Sequence, residues 1–182
     1  MSITELAPAK LNLTLDVGAR RPDGYHEITS VMQSAALYDV VTLETVETDD
    51  IAVECPGTDL PTGPDNLAWK AADVFFQETN IPRTGIVIRL EKKIPSQAGL
   101  GGGSSDAAAV LRGMRRLFST NVSDEALETM AARVGSDVPY CVRGGTALAR
   151  GRGERLTALS PLPMCWFVIV KPPVAHSTAV MF

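Results

Sequence analysis

Ile94-Pro95-Ser96-Gln97-Ala98-Gly99-Leu100-Gly101-Gly102-Gly103-Ser104-Ser105-Asp106-Ala107-Ala108-Ala109 lies between two segments of different periodicity. Before it, Gly85 to Leu90 alternates as a strand does. After it, Ala107, Val110, Leu111, Met114, Leu117 and Phe118 recur at three- and four-residue spacing while Arg112, Arg115 and Arg116 face elsewhere, which predicts a helix. Glycines let backbone N–H groups approach an anion closely, and the helix that follows aims its unpaired amides and positive dipole end at the same place. Phosphate is the natural guest. No Gly-Lys-Ser/Thr closes the loop, and its spacing and flanks are not those of a dinucleotide fingerprint. The competing reading is a plain turn with Ser104 or Ser105 as N-cap. Against it, Gly99, Gly101, Gly102 and Gly103 carry a cost in chain entropy that a plain turn does not require.

Working outward, Leu11, Leu13, Leu15 and Val17 alternate with Asn12, Thr14 and Asp16, the pattern of a half-buried strand. Arg21-Pro22-Asp23-Gly24 reads as a turn, and Tyr25 to Met32, Asp39 to Val46 and Ile51 to Cys55 read as strands. A loop dense in turn formers, Pro56 to Asp65, precedes a helix from Leu67 that Asp65 or Asn66 is placed to cap, with Leu67, Ala71, Val74 and Phe75 on one face. Ser123-Asp124-Glu125 opens a third helix through Leu127, Met130, Ala131 and Val134, and Gly135 is placed to end it. Gly144 to Ala149 and Trp166 to Lys171 are expected as late strands. Strands in runs followed by helices, rather than strict alternation, give an α+β architecture.

The chain has 182 residues, 45% of them hydrophobic and 21% charged, enough for one sizeable domain with a real core. Its 17 basic and 21 acidic residues leave a formal charge of −4, which argues against a broad grip on nucleic acid or a membrane. Cys55, Cys141 and Cys165 form no Cys-x-x-Cys pair, so no disulfide framework or zinc cluster is expected. The N-terminus lacks a cationic region followed by an apolar stretch, and the segment Leu156 to Val170 is interrupted by Pro161 and Pro163. A cytoplasmic protein is the expectation.

Lys10 and Asp137 are charged residues in otherwise apolar or tightly turned surroundings. Taken singly, Lys10 reads as a solvated strand end, and Asp137 as the cap of a short helix with proline at its start. Beside an anion loop they acquire a joint meaning, because phosphoryl transfer to an alcohol needs an aligning carboxylate or base and a cation near the transferred group. Tyr25 and His26, just past a turn, are able to stack on and hydrogen-bond a ring, or to pack at a strand start. His176 has no identifiable partner, and two histidines give little support to a triad or a metal site.

Pro8-Ala9-Lys10-Leu11-Asn12-Leu13, Arg21-Pro22-Asp23-Gly24-Tyr25-His26, the Gly99 to Asp106 loop and Gly135-Ser136-Asp137-Val138-Pro139 occur in that order. The arrangement resembles the GHMP small-molecule kinases over essentially the whole chain, and within them those acting on a cytidine diphosphate-linked methylerythritol. The resemblance implies the family's N-terminal domain, a two-layer fold with helices on one side of a sheet, shared with domain 2 of a small-subunit ribosomal protein. It implies residues 1–160 as that ATP- and substrate-binding domain, and 161–182 as the start of a second domain otherwise absent. It implies transfer of the ATP γ-phosphoryl group, with Mg2+ as companion, to the substrate's 2-hydroxyl in the non-mevalonate isoprenoid pathway. By the same resemblance Asp137 is the base and substrate contact, Lys10 its cationic partner, and Asn12 lies close by. Pro95, Gly99, Leu100, Gly101, Gly102, Gly103, Ser104 and Ser105 wrap the ATP phosphates, with Asn66 near the nucleotide. His26 reads the cytosine edge, Tyr25 covers one ring face, and Thr178 and Phe182 complete the substrate contacts. A small-molecule partner, no nucleic acid, no membrane and a monomer or homodimer are expected. The rivals are another kinase of the superfamily, a nucleotide-binding fragment without activity, and a non-catalytic RNA-binding module of the same fold.

Overall fold

The structure, a computed structural model, describes residues 1–172. Two long antiparallel strands, β1 (Ser2–Arg20) and β2 (His26–Val46), run together from Ser2↔Glu44 to Arg20↔His26. The turn expected at Arg21 to Gly24 joins them, with the Gly24 amide donating to the Arg21 carbonyl. The two strands expected at 25–32 and 39–46 are thus one, because β1 pairs along the polar and small residues between them.

The far edge of β2 is divided. Its first part pairs with β5 (Thr146–Gly151) from Ile28 to Gln33, and its last part with β4 (Gly85–Glu91) from Val40 to Val46. Between these, neither strand covers the edge, and the residues that dock there belong to the glycine loop and to the turn at Gly145. Outermost, β3 (Ile51–Glu54) lies parallel to β4, and β6 (Arg155–Ala158) antiparallel to β5. The sheet is therefore mixed.

Helices α1 (Leu67–Thr79), α2 (Gly102–Leu117), α3 (Asp124–Val134) and α4 (Val138–Arg143) cover its apolar face. Met32, Val41, Leu43, Ile86, Ile88 and Leu90 from the strands meet Phe75, Val110, Leu111, Met114 and Leu127 from the helices in one core. The caps follow the chemistry: Asn66 Oδ1 accepts from the Ala68 amide at 2.9 Å, and Ser123 Oγ from the Ala126 amide at 3.2 Å.

Two expectations are corrected. Leu13, Leu15 and Val17 are exposed, since this end of the β1–β2 pair extends past the helices and none of the described residues covers it. Trp166 to Lys171 forms no strand, for lack of a pairing edge among the described residues. Its burial still alternates, Trp166 at 93% and Val168 at 92% exposed against Phe167 at 42% and Ile169 at 40%. The hairpin strand β6 was not anticipated; its four residues carry no hydrophobic run. Among the described residues no helix is long and apolar enough to cross a membrane.

Candidate active site

Helix α2 begins at Gly102, so two of the loop's glycines form its first turn rather than preceding it. The N-cap is Gly101 at φ +66°, with no side-chain cap, so the competing reading of a turn capped by Ser104 or Ser105 does not hold. Ser105 turns instead to β1, its Oγ donating to the Pro8 carbonyl at 2.7 Å and its amide to the Gly101 carbonyl at 2.8 Å. Both of its hydrogen-bonding groups are thus occupied in anchoring α2, leaving neither for a phosphate. The amides of Gly102, Gly103 and Ser104, at the first three helical positions, have no intrahelical partner and form an anion-binding end. Before them Gln97, Gly99 and Gly101 all have positive φ, which folds the chain around that end.

The loop is pinned to β1 by Lys10. Its amide donates to the Leu100 carbonyl at 2.9 Å, while Ala9, Ile94 and Leu100 make a small core of their own. Its side chain runs past Gly101, where an added Cβ would come within 2.6 Å of Lys10 Cγ. The ammonium ends 3.4 Å from Asp137 Oδ2 and 3.4 Å from Asn12 Oδ1. Lys10 is buried, while the Asp137 side chain is about one-third exposed at 34% and so open to a reactant. Asp137 occupies the N-cap position of α4 but makes no capping bond. Lys10, Asn12, Asp137 and the start of α2 therefore converge. Asn66 lies apart in its bonding, Oδ1 capping α1 and Nδ2 donating to the Pro61 carbonyl at 2.7 Å; its neighbour Leu67 stands beside Gly103. Pro95 is exposed.

Residues 66–145 match the family model described as GHMP kinases N terminal domain. The matched segment is a GHMP kinase N-terminal domain. It is 47% identical over all 182 residues to a 4-diphosphocytidyl-2-C-methyl-D-erythritol kinase of Enterococcus faecalis, spanning 64% of that protein. It is 46% identical, again over its whole length, to the protein of the same name from Bacillus subtilis, spanning 63% of it. A crystal structure of 4-(cytidine 5'-diphospho)-2C-methyl-D-erythritol kinase superposes with a TM-score of 0.73 at 42% identity, covering 88% of this chain and 56% of that one. The chain thus spans less than two thirds of these relatives.

Farther along β2, this GHMP kinase domain places Tyr25 and His26 beside the Arg21 turn. His26 Nδ1 lies 3.0 Å from the Gly18 carbonyl oxygen, which only accepts, so Nδ1 carries the proton and a neutral ring leaves Nε2 as an acceptor. Tyr25 is half exposed, with the Arg152 guanidinium 4.8 Å from its ring centroid. Thr178 and Phe182 lie outside the described residues.

Beneath the glycine loop lies a buried charge cluster that the sequence reading missed. Asp39, on the uncovered edge of β2, accepts from the amides of Lys93 at 2.5 Å and Ile94 at 2.8 Å. Lys92 bridges Asp39 to Asp106, the fifth residue of α2. Asp106 Oδ1 is buried without a partner, and burial pushes this carboxyl up to about 7 against the pull of Lys92. An acidic residue between Tyr38 and the apolar pair Val40-Val41 was the available signal. A groove of about 550 Å³ lined by Tyr38, Arg112, Arg116 and Arg143 is a poor rival site, since Glu5 pairs with Arg112 and Arg116 and Glu128 with Arg143.

Proposed function

We propose that the complete protein transfers the γ-phosphoryl group of ATP to the 2-hydroxyl of 4-diphosphocytidyl-2-C-methyl-D-erythritol, a step of non-mevalonate isoprenoid synthesis. The observation that carries this is the meeting of Lys10 and Asp137, 3.4 Å apart, beside the uncapped amides of α2. The names and identities of the relatives support this choice of substrate.

The acceptor hydroxyl gives its proton to Asp137 as its oxygen bonds to the γ-phosphorus and the bond to the bridging oxygen breaks, releasing ADP. Lys10 sets the direction of the carboxylate and offsets charge building on the transferred group. The amides of Gly102, Gly103 and Ser104 hold the outer phosphates, with Gly99, Leu100 and Gly101 shaping the cradle. The donor set fits a cation carried largely by phosphate and water: Asp137 is near the cradle, and among the described residues no three acidic or imidazole groups gather into a metal site. Mg2+ bound with ATP would neutralise charge on the phosphates. At the other end His26 Nε2 accepts from the cytosine amino group and Tyr25 stacks on the ring.

The test is phosphoryl transfer from labelled ATP by the complete protein to this substrate, mevalonate, homoserine and galactose in parallel. Selective labelling of the cytidylyl substrate is expected. No transfer to it, or equal transfer to another alcohol, rejects the reading.

A further inference from the structure

Arg152 stands at the tip of the turn between β5 and β6, and the tip faces both ends of the proposed site. Its guanidinium lies against Tyr25, 4.8 Å from the ring centroid. A Cβ on the next residue, Gly153, would lie 3.6 Å from both Ile28 Cδ1 and the Ser136 carbonyl oxygen and 3.7 Å from Asp137 Oδ1. One turn therefore bridges the ring assigned to the base and the carboxylate assigned to the reacting hydroxyl. In the proposed acceptor, the group linking base and alcohol is a diphosphate.

The tip is built to hold this position. Gly151 and Gly153 have φ of +77° and +112°, so the chain turns sharply there. The Arg152 amide donates to Glu154 Oε2 at 2.6 Å, which fixes the root of the side chain. Neighbouring cations are already occupied, Arg21 by Asp23 and Glu27, and Arg155 by Glu27. Among the described residues no carboxylate pairs with the Arg152 guanidinium. Among the described residues no hydrogen bond engages the Arg152 guanidinium, whose N–H donors are therefore available to an anion. Half exposed, Tyr25 keeps its other face for a base.

Resting on the function proposed above, we infer that Arg152 binds the acceptor's diphosphate while backing Tyr25, and so selects a nucleoside diphosphate conjugate over an uncharged nucleoside. The test measures CDP and cytidine binding to the complete protein by calorimetry, and KM for acceptor and ATP, in wild type, Arg152→Ala and Arg152→Lys. Arg152→Ala should weaken CDP and raise the acceptor KM by about tenfold or more, with cytidine affinity, ATP KM and thermal midpoint near wild type. Arg152→Lys should recover part of the loss, keeping the charge without the planar fork. Unchanged CDP affinity, equal loss of cytidine and CDP, or a loss falling on ATP overturns the inference. A wild type that neither binds CDP nor phosphorylates the acceptor overturns the proposed function itself, and this inference with it.

Discussion

Asp137 Oδ2 lies 3.4 Å from Lys10 Nζ because the carboxylate is not used where its position would ordinarily use it. A residue at the N-cap usually accepts from the second or third helical amide, and the second residue of α4 is Pro139, which has none. The proline thus lowers the pull of the helix on this side chain and leaves it for β1. Asp137→Asn should then cost little stability while lowering kcat by roughly 10²-fold or more, the scale of a lost general base. Turnover and thermal midpoint of the complete protein, measured together, check both halves; unchanged turnover removes Asp137 from the reaction.

Two glycines of the loop separate backbone strain from contact. Both Gly99 and Gly101 have positive φ, but a Cβ at Gly99 meets nothing within 4 Å, whereas at Gly101 it meets the Lys10 stem. Gly99→Ala is expected to cost on the order of 1 kcal/mol, the backbone penalty alone. Gly101→Ala should cost more and also depress kcat by displacing Lys10. Denaturant midpoints and kcat for the pair provide the comparison, and equal behaviour would refute the packing account.

Asp106 makes stability depend on pH in an unusual direction. Its folded carboxyl is raised from 3.8 to about 7, so between those values the native state binds more protons than the unfolded chain. The contribution is present below pH 3.8 and is lost as pH rises to about 7. Asp106→Asn should therefore gain on wild type steadily across that window and hold its advantage above it. Urea unfolding of both proteins at several pH values measures the difference; a gap that is constant with pH contradicts the assignment.

His26→Ala should raise KM for the cytidylyl substrate by about tenfold or more, the scale of a hydrogen bond lost from a site that has excluded water, with KM for ATP unchanged. Steady-state kinetics with each substrate varied in turn decide this. Equal weakening of both would move His26 out of the base pocket.

The glycine loop, the helix after it and the caps at Asn66 and Ser123 were legible because each is written in a few adjacent residues whose backbone chemistry is local. The convergence of Lys10 and Asp137 was legible only through the resemblance, since no spacing encodes a contact between β1 and the start of α4. Asp39, Lys92 and Asp106 escaped notice for the same reason in stronger form. Lys92 and Asp106 look solvated in their own neighbourhoods, Asp39 shows only its apolar flanks, and only packing of β2, the loop and α2 together brings them into one buried group. Continuity of β2 was hidden because its middle residues are held by β1 rather than by their own apolar pattern.

The β1–β2 ladder has a further meaning as a ruler. Lys10 pairs with Ser34 and Arg20 with His26, so under the proposed function the interval from the phosphate end to the base end is counted in strand residues of about 3.3 Å each. Removing a single residue from that stretch would shorten the interval by one step and turn every later side chain to the opposite face. The length of the proposed acceptor would thereby be written as an integer, and natural variation there should come in twos or be absorbed at the irregularities near Pro8, Asn12 and Val17.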